Sequence, residues 1–294
     1  PAMTGALVVK SLGSTLGLIG FIIMCGAGLG SVMSEARVSH TIVYWIVKYI
    51  GVTTEKRAIL CVIVTTTLVC GLLGTLAGGC AIVAPILIPI VAAAGLKPAT
   101  VACLFQSSGE TGLIWGPFTG PTVALLAITH LSYGRMMLWA ALPYGLIWLT
   151  VIYFCGLRIQ HDPSYDERYE LDTAEQTTLG ITAQEKRVTL AFLIGFVGLL
   201  TFSMITHQKT AFTVFVMLVL ALVICLFKPL DMSVMFRAFA KGMGSMAGTF
   251  LLFILLNMML EYINYGHGFE ALGKILVSFA GEGSRMMVVI MGTL

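Results

Sequence analysis

The sequence predicts an all-α, multispanning membrane fold with inverted repeats, a re-entrant hairpin and a broken transmembrane helix. Three observations predict it. Hydrophobic residues make up 58% of the 294 and charged residues only 11%, with a mean hydropathy of +0.96, whereas a soluble domain carries about 25% charged residues. Five runs, at residues 14–32, 136–156, 188–205, 211–227 and 245–263, are nearly charge-free and long enough to cross a bilayer. Between the first two of these, the apolar region 55–130 is broken twice by clusters of glycine, proline and hydroxyl residues.

The elements follow in order. The first spanning run is followed by an amphipathic stretch, HTIVYWIVKYIG (40–51). Two apolar arms, 58–70 and 81–94, then flank GLLGTLAGGCAIVAP (71–85), with Lys56 and Arg57 before them and Lys97 after. Each arm alone is marginal for a crossing, and both outer ends are basic, so residues 57–94 read as a hairpin that enters the membrane and returns. SSGETGLIWGPFTGPT (107–122) divides 99–106 from 123–129, which makes 99–130 one crossing built of two half-helices. Spanning run 136–156 closes a first repeat, 1–157. Residues 158–187, with seven acidic side chains, read as a solvated linker. Residues 188–294 read as a second repeat, ending before its own hairpin tip. Residue 1 is a proline and the last run, MMVVIMGTL, is too short to span, so the sequence reads as an internal fragment.

An internal motif supports the two halves. KSLGSTLG (10–17) recurs as KGMGSMAG (241–248), and each copy precedes a spanning run and an amphipathic stretch, the second being FEALGKILVSFAG (269–281). With a re-entrant hairpin the copies are separated by an odd number of crossings and are therefore inverted. Of the 17 Lys and Arg residues, only Lys10, Arg135, Lys209, Lys274 and Arg285 then fall on one side. The positive-inside rule makes the richer side cytoplasmic, so the hairpin enters from the cytoplasm of a cell's inner membrane and the linker lies there too.

Broken backbone at membrane depth persists only where protein or a water-filled cavity satisfies it. Two breaks close in sequence therefore point to a shared site, in which half-helix N-termini face an anion and freed carbonyls and hydroxyls face a cation. The candidate residues are Gly74, Thr75, Gly78 and Gly79 at the hairpin tip, and Ser107, Ser108, Glu110, Thr111, Thr119 and Thr122 in the broken helix. Glu110 is the only carboxylate there, and an intramembrane carboxylate marks an ion pathway or caps the unwound turn. GAGLG (26–30) and both KxxGSxxG motifs read as helix packing. Asn257 reads as an interhelical hydrogen bond, Glu261 and Asn264 as interfacial, and His130 as a helix end facing water. The seven cysteines have no CxxC or His spacing and read as small buried hydrophobes, not a disulfide framework or zinc site. HExxH, a nucleotide-binding glycine loop and an intramembrane aspartate pair are all absent, which argues against an enzyme. A net charge of +3 spread over short connectors gives no nucleic-acid surface.

The order of spanning helix, amphipathic arm, GTLAGG tip, APILIPI arm and SSGETGLIWGPFTGPT break resembles the ion transporter superfamily of secondary carriers. That group includes citrate, four-carbon dicarboxylate, gluconate and lactate permeases, with some sodium/proton antiporters as relatives. The stretch GPFTGPTVALLAITHLSYGRMMLWAALP is similar to bacterial dicarboxylate or basic amino acid carriers of the group. The resemblance implies a homodimer that moves its hairpin domain in an elevator-like motion, with substrate and coupling cation held at 75–79 and 107–122. Dicarboxylate members often carry a serine-asparagine-threonine signature at these breaks, and here neither break contains asparagine. The expected function is secondary active transport of a small organic anion by alternating access, coupled to Na+ or H+, with no other cofactor. The alternative is a sodium/proton antiporter in which Glu110 carries the ions. A channel is disfavoured, because inverted broken repeats build an occluded midplane site and not a continuous pore.

Overall fold

The computed structural model describes residues 2–129, 131–165, 167–169, 180–206, 212–228 and 231–280. Among these every regular element is helical: α1 (Ala2–Leu12), α2 (Thr15–Glu35), α3 (Val38–Ile50), α4 (Glu55–Leu73), α5 (Leu76–Ala93), α6 (Pro98–Trp115), α7 (Gly120–Thr129), α8 (Tyr133–Met136), a π turn (Met137–Ala141), α9 (Leu142–His161), α10 (Ala183–Ile205), α11 (Phe212–Phe227), α12 (Met232–Ser245), α13 (Ala247–Tyr265) and α14 (Gly268–Ala280). Seven stretches of the described residues are long and apolar enough to cross a membrane, among them Thr15–Glu35, Pro98–Thr129 and Ala247–Tyr265, and α11 is a shorter apolar helix. The five spanning runs read from the sequence fall on α2, α9, α10, α11 and α13.

The hairpin is tighter than the sequence suggests. Its break is the single pair Gly74–Thr75 and not 71–85. Gly74 ends α4 in the left-handed conformation, φ 73°, with its N–H on the Cys70 carbonyl, and Thr75 is extended and opens α5. The new helix runs through Pro85 and Pro89. The arms are therefore 19 and 18 residues long, roughly 27 Å each at a rise of 1.5 Å per residue. That is close to a full hydrocarbon thickness, and each arm is long and apolar enough to cross, so arm length does not argue for re-entry.

The second break also shrinks. α6 continues unbroken through Ser107, Ser108, Glu110 and Thr111, and only Gly116–Thr119 leave the helix. Hydroxyls read as hostile to a helix bond back into it: Ser108 Oγ donates to the Leu104 carbonyl and Thr111 Oγ1 to that of Ser107 at 3.2 Å. Pro117, which has no N–H to give, is where the ladder fails. The linker shrinks at both ends, since α9 reaches His161 and α10 begins at Ala183 behind a reciprocal Thr182–Glu185 capping box. Linker residues 166 and 170–179, His130 and the final segment 281–294 lie outside the described residues.

The chain divides into two compact units, Ile19–Phe250 and the pair Pro1–Leu18 with Leu251–Leu294. In the larger unit α4 and α6 form the centre, with Ile59, Val62, Val69 and Leu104 fully or almost fully buried, and α3, α5 and α9 pack around them. The GAGLG glycines act as packing surfaces there: a side chain on Gly28 would press on Phe239, and one on Gly30 on Leu73. In the smaller unit Asn257 Nδ2 donates to Ser11 Oγ at 3.0 Å, the interhelical bond expected of it, and Glu261 accepts from Lys10 Nζ at 2.8 Å.

Both KxxGSxxG copies form the same local structure. Each straddles a helix-to-helix joint, α1 to α2 and α12 to α13, and the matching serines turn back in the same way. Ser14 Oγ donates to the Ser11 carbonyl at 2.6 Å, and Ser245 Oγ to that of Gly242 at 2.7 Å. The next joints match as well. Arg37 (φ 58°) and His267 (φ 54°) are the non-glycine residues of positive φ among those described. Each starts a 13-residue amphipathic helix, α3 and α14.

Candidate functional site

Glycines bring the hairpin and the broken helix together backbone to backbone. A Cβ on Gly71 of α4 would lie 2.9 Å from the Gly112 carbonyl of α6, one on Gly112 would strike the Thr67 carbonyl, and one on Gly116 would strike that of Gly71. Thr67 Oγ1 donates to the Ser108 carbonyl at 3.0 Å across the same seam. This carries the end of α4 to the end of α6. At the tip, a Cβ on Gly74 would sit 3.6 Å from the Phe118 carbonyl, and Gly109 of α6 leaves room for the Leu76 side chain. The two breaks thus meet at one junction.

The acceptors of that junction are already paired. A helix end leaves four carbonyls without helical partners, here those of Gly112, Leu113, Ile114 and Trp115. Gly116 N–H takes the first at 2.8 Å. Thr119 Oγ1 donates to Leu113, Thr122 Oγ1 reaches Leu113 at 3.2 Å and Ile114 at 3.0 Å, and Tyr133 Oη donates to Trp115 at 2.6 Å. Thr119 and Thr122 are both buried. The Trp115 indole N–H in turn donates to the Ala141 carbonyl at the end of the π turn, 2.8 Å away, and its ring fills the space a Cβ on Gly145 would need.

The donors are treated differently. Thr75, at the N-cap of α5, makes no side-chain capping bond, and its Oγ1 lies over Gly78, where a Cβ would strike it. The first turn of α7 contains Pro121, which has no N–H. The positive ends of α5 and α7 therefore stand beside the contact of Gly74 with Phe118, the arrangement that attracts an anionic group.

Of the candidate residues, Gly74, Thr75, Gly78 and Gly79 are at the tip, and Thr119 and Thr122 at the break. Ser107, Ser108, Glu110 and Thr111 belong to the regular helix before it. Glu110 does not cap the unwound turn: it lies on an exposed face of α6, where Oε1 accepts from Gln106 Nε2 at 2.6 Å. Sequence reasoning missed three contributors. Thr67 and Tyr133 act on carbonyls 41 and 18 residues away, and nothing local marks them. Gln160, buried near the end of α9, binds Lys97 N–H, Thr100 Oγ1 and the Gly95 carbonyl, fixing the turn between α5 and α6.

A cavity of about 290 Å³ lies beside the break, lined by Ile114, Pro121, Thr122, Leu125, Met136 and Tyr144 among others. Its lining is almost wholly apolar, which suits no carboxylate. Thr122 is the one candidate residue it touches.

A multispanning helical chain whose broken helix and hairpin tip meet at one junction belongs to the membrane carriers. The particular family follows from its sequence: residues 5–294 match the family model of the tripartite ATP-independent periplasmic transporter, DctM component. The chain belongs to this family. It is a multi-pass integral membrane component of an ATP-independent transporter and not an enzyme. No curated protein and no solved structure matches it. A tripartite transporter places the chain beside two different components; it gives neither the expected homodimer nor the antiporter reading any support.

Proposed function

We propose that this chain is the path by which a small organic anion crosses the membrane, by alternating access coupled to Na+ or H+. In this reading the carboxylate binds at the N-termini of α5 and α7, with Thr75 as its side-chain partner and Gly74, Gly78 and Gly79 allowing close approach. The observation that carries the reading is the meeting of Gly74 with Phe118: the break between α4 and α5 and the break between α6 and α7 share one junction. Paired carbonyls at Leu113, Ile114 and Trp115 form the fixed wall, while the uncapped amides receive the anion.

The same proposal keeps the kinship with the citrate and dicarboxylate permeases, the inverted relation of the two halves 1–157 and 188–294, and hairpin entry from the cytoplasmic side of the inner membrane. The matching joints at Ser14 and Ser245, and at Arg37 and His267, support the repeat. Glu110, exposed on α6, is the coupling candidate. The test is uptake of labelled carboxylates into proteoliposomes holding the full-length protein and its two partner components, under imposed sodium or proton gradients. Gradient-driven accumulation of at least one acid is expected. No accumulation from a broad panel would overturn the reading. Glu110→Gln is expected to change the sodium or pH dependence of that uptake, and an unchanged dependence removes Glu110 from coupling.

A further inference from the structure

Two cysteines bracket the hairpin tip. Cys70 is on α4, four residues before Gly74, and is fully buried; Cys80 is on α5, five residues after Thr75, and is half-buried. The two arms are close there: a Cβ on Gly79, next to Cys80, would lie 3.0 Å from Cys70 Cα and would strike Cys70 Sγ. Both sulfurs also face the seam with the neighbouring helices, Cys70 Sγ donating to the Leu76 carbonyl at 3.8 Å and Cys80 Sγ to that of Phe105 at 4.0 Å. Both thiols are free in this structure.

We infer that Cys70 and Cys80 form a redox-responsive dithiol that closes into a disulfide across the hairpin tip and arrests transport. The oxidant class is a low-molecular-weight disulfide. The more accessible Cys80 sulfur attacks one of its sulfurs, forming a mixed disulfide and releasing one small thiol. Cys70 then attacks the Cys80 sulfur, forming the Cys70–Cys80 bond and releasing the second small thiol. Two electrons pass from the protein to the reagent, and the two thiol protons leave with the two released thiols. The ring so formed encloses the Gly74–Thr75 turn and fixes the start of α5 against α4 and α6. The arrest rests on the proposed transport site at that turn; the disulfide itself does not.

The test treats the protein in proteoliposomes with dithiodipyridine, then reads peptides by mass spectrometry and uptake in parallel. Expected is a peptide carrying the Cys70–Cys80 link, two hydrogens lighter than the reduced form, with uptake lost and restored by dithiothreitol. Cys70→Ser is expected to trap a pyridyl adduct on Cys80, and Cys80→Ser, which keeps the other six thiols, to transport before and after treatment. A wild-type protein that keeps a pyridyl adduct on Cys80 without forming the link overturns the dithiol. Link formation with uptake unchanged overturns the arrest. If the untreated protein shows no uptake, the transport reading fails, while the peptide masses still decide the dithiol.

Discussion

The two chain breaks at the junction are built in opposite ways. At Gly116–Thr119 the four exposed carbonyls of α6 are each met by an internal donor, from Gly116, Thr119, Thr122 or Tyr133. At Gly74–Thr75 the start of α5 has a threonine in capping position that makes no capping bond. An unpaired polar group in an apolar surrounding costs several kcal/mol, and in the proposed reading the uncapped start of α5 is where an anion offsets that cost. In that reading the broken helix is the scaffold of the site and the hairpin tip its receptor.

The largest expected effect tests the seam on which both breaks rest. In Gly112→Val the new side chain meets the Thr67 carbonyl and the Gly71 backbone, neither of which can rotate away. Overpacking of this kind costs about 1–3 kcal/mol or more, so the variant is expected to be recovered poorly and to melt well below wild type in detergent. Next in size is the double variant Thr119→Val with Thr122→Val, which strips the donors from the Leu113 and Ile114 carbonyls. A loss of about 1–3 kcal/mol per orphaned group is expected, seen as a lowered melting temperature, with each single variant milder because the remaining threonine hydroxyl still serves one of the two carbonyls. Tyr133→Phe removes the sole side-chain donor to the Trp115 carbonyl and is expected to cost about 1 kcal/mol. If these carbonyl variants melt like wild type, the break is not self-satisfied and the contrast with the tip disappears.

The smallest effect lies away from both breaks. His40 on α3 is half-buried beside Arg37, whose guanidinium is 3.2 Å from its Nε2. Burial first, then the Arg37 charge, lowers its pKa below the usual histidine value, while Glu185 pulls the other way. The unfolded chain therefore binds this proton more readily than the folded one. The neutral-His40 contribution is complete above the ordinary histidine range and is lost as pH falls through that range to the lowered folded value. Melting temperature is expected to fall slightly over that interval, and His40→Gln to flatten the slope. An unaltered slope in the variant would assign the pH effect elsewhere.

Much of this fold was legible because a membrane interior imposes a simple code: charge-free runs of the right length mark α2, α9, α10, α11 and α13. The KxxGSxxG repeat was legible as a pattern and read as helix packing, but the turn its serines make was not: each hydroxyl lies at a helix joint and bonds to the carbonyl three residues earlier. The break positions were misread for a physical reason. Ser107, Ser108 and Thr111 look hostile to a helix in water, yet in an apolar body their hydroxyls bond to carbonyls of their own helix or lie against it, and Gly109 and Gly112 serve close approach to α4. Only the lost donor at Pro117 ends the ladder. Tyr133 and Thr67 were not legible, because their partners are backbone carbonyls brought near by tertiary packing.

The most direct test of the tip as receptor is Thr75→Val, measured for melting temperature and for carboxylate uptake in the same preparation. Since the Thr75 hydroxyl makes no capping bond, the melting temperature is expected to match wild type while uptake falls or its KM rises. Unchanged uptake at an unchanged KM would contradict the assignment of the anion to the start of α5.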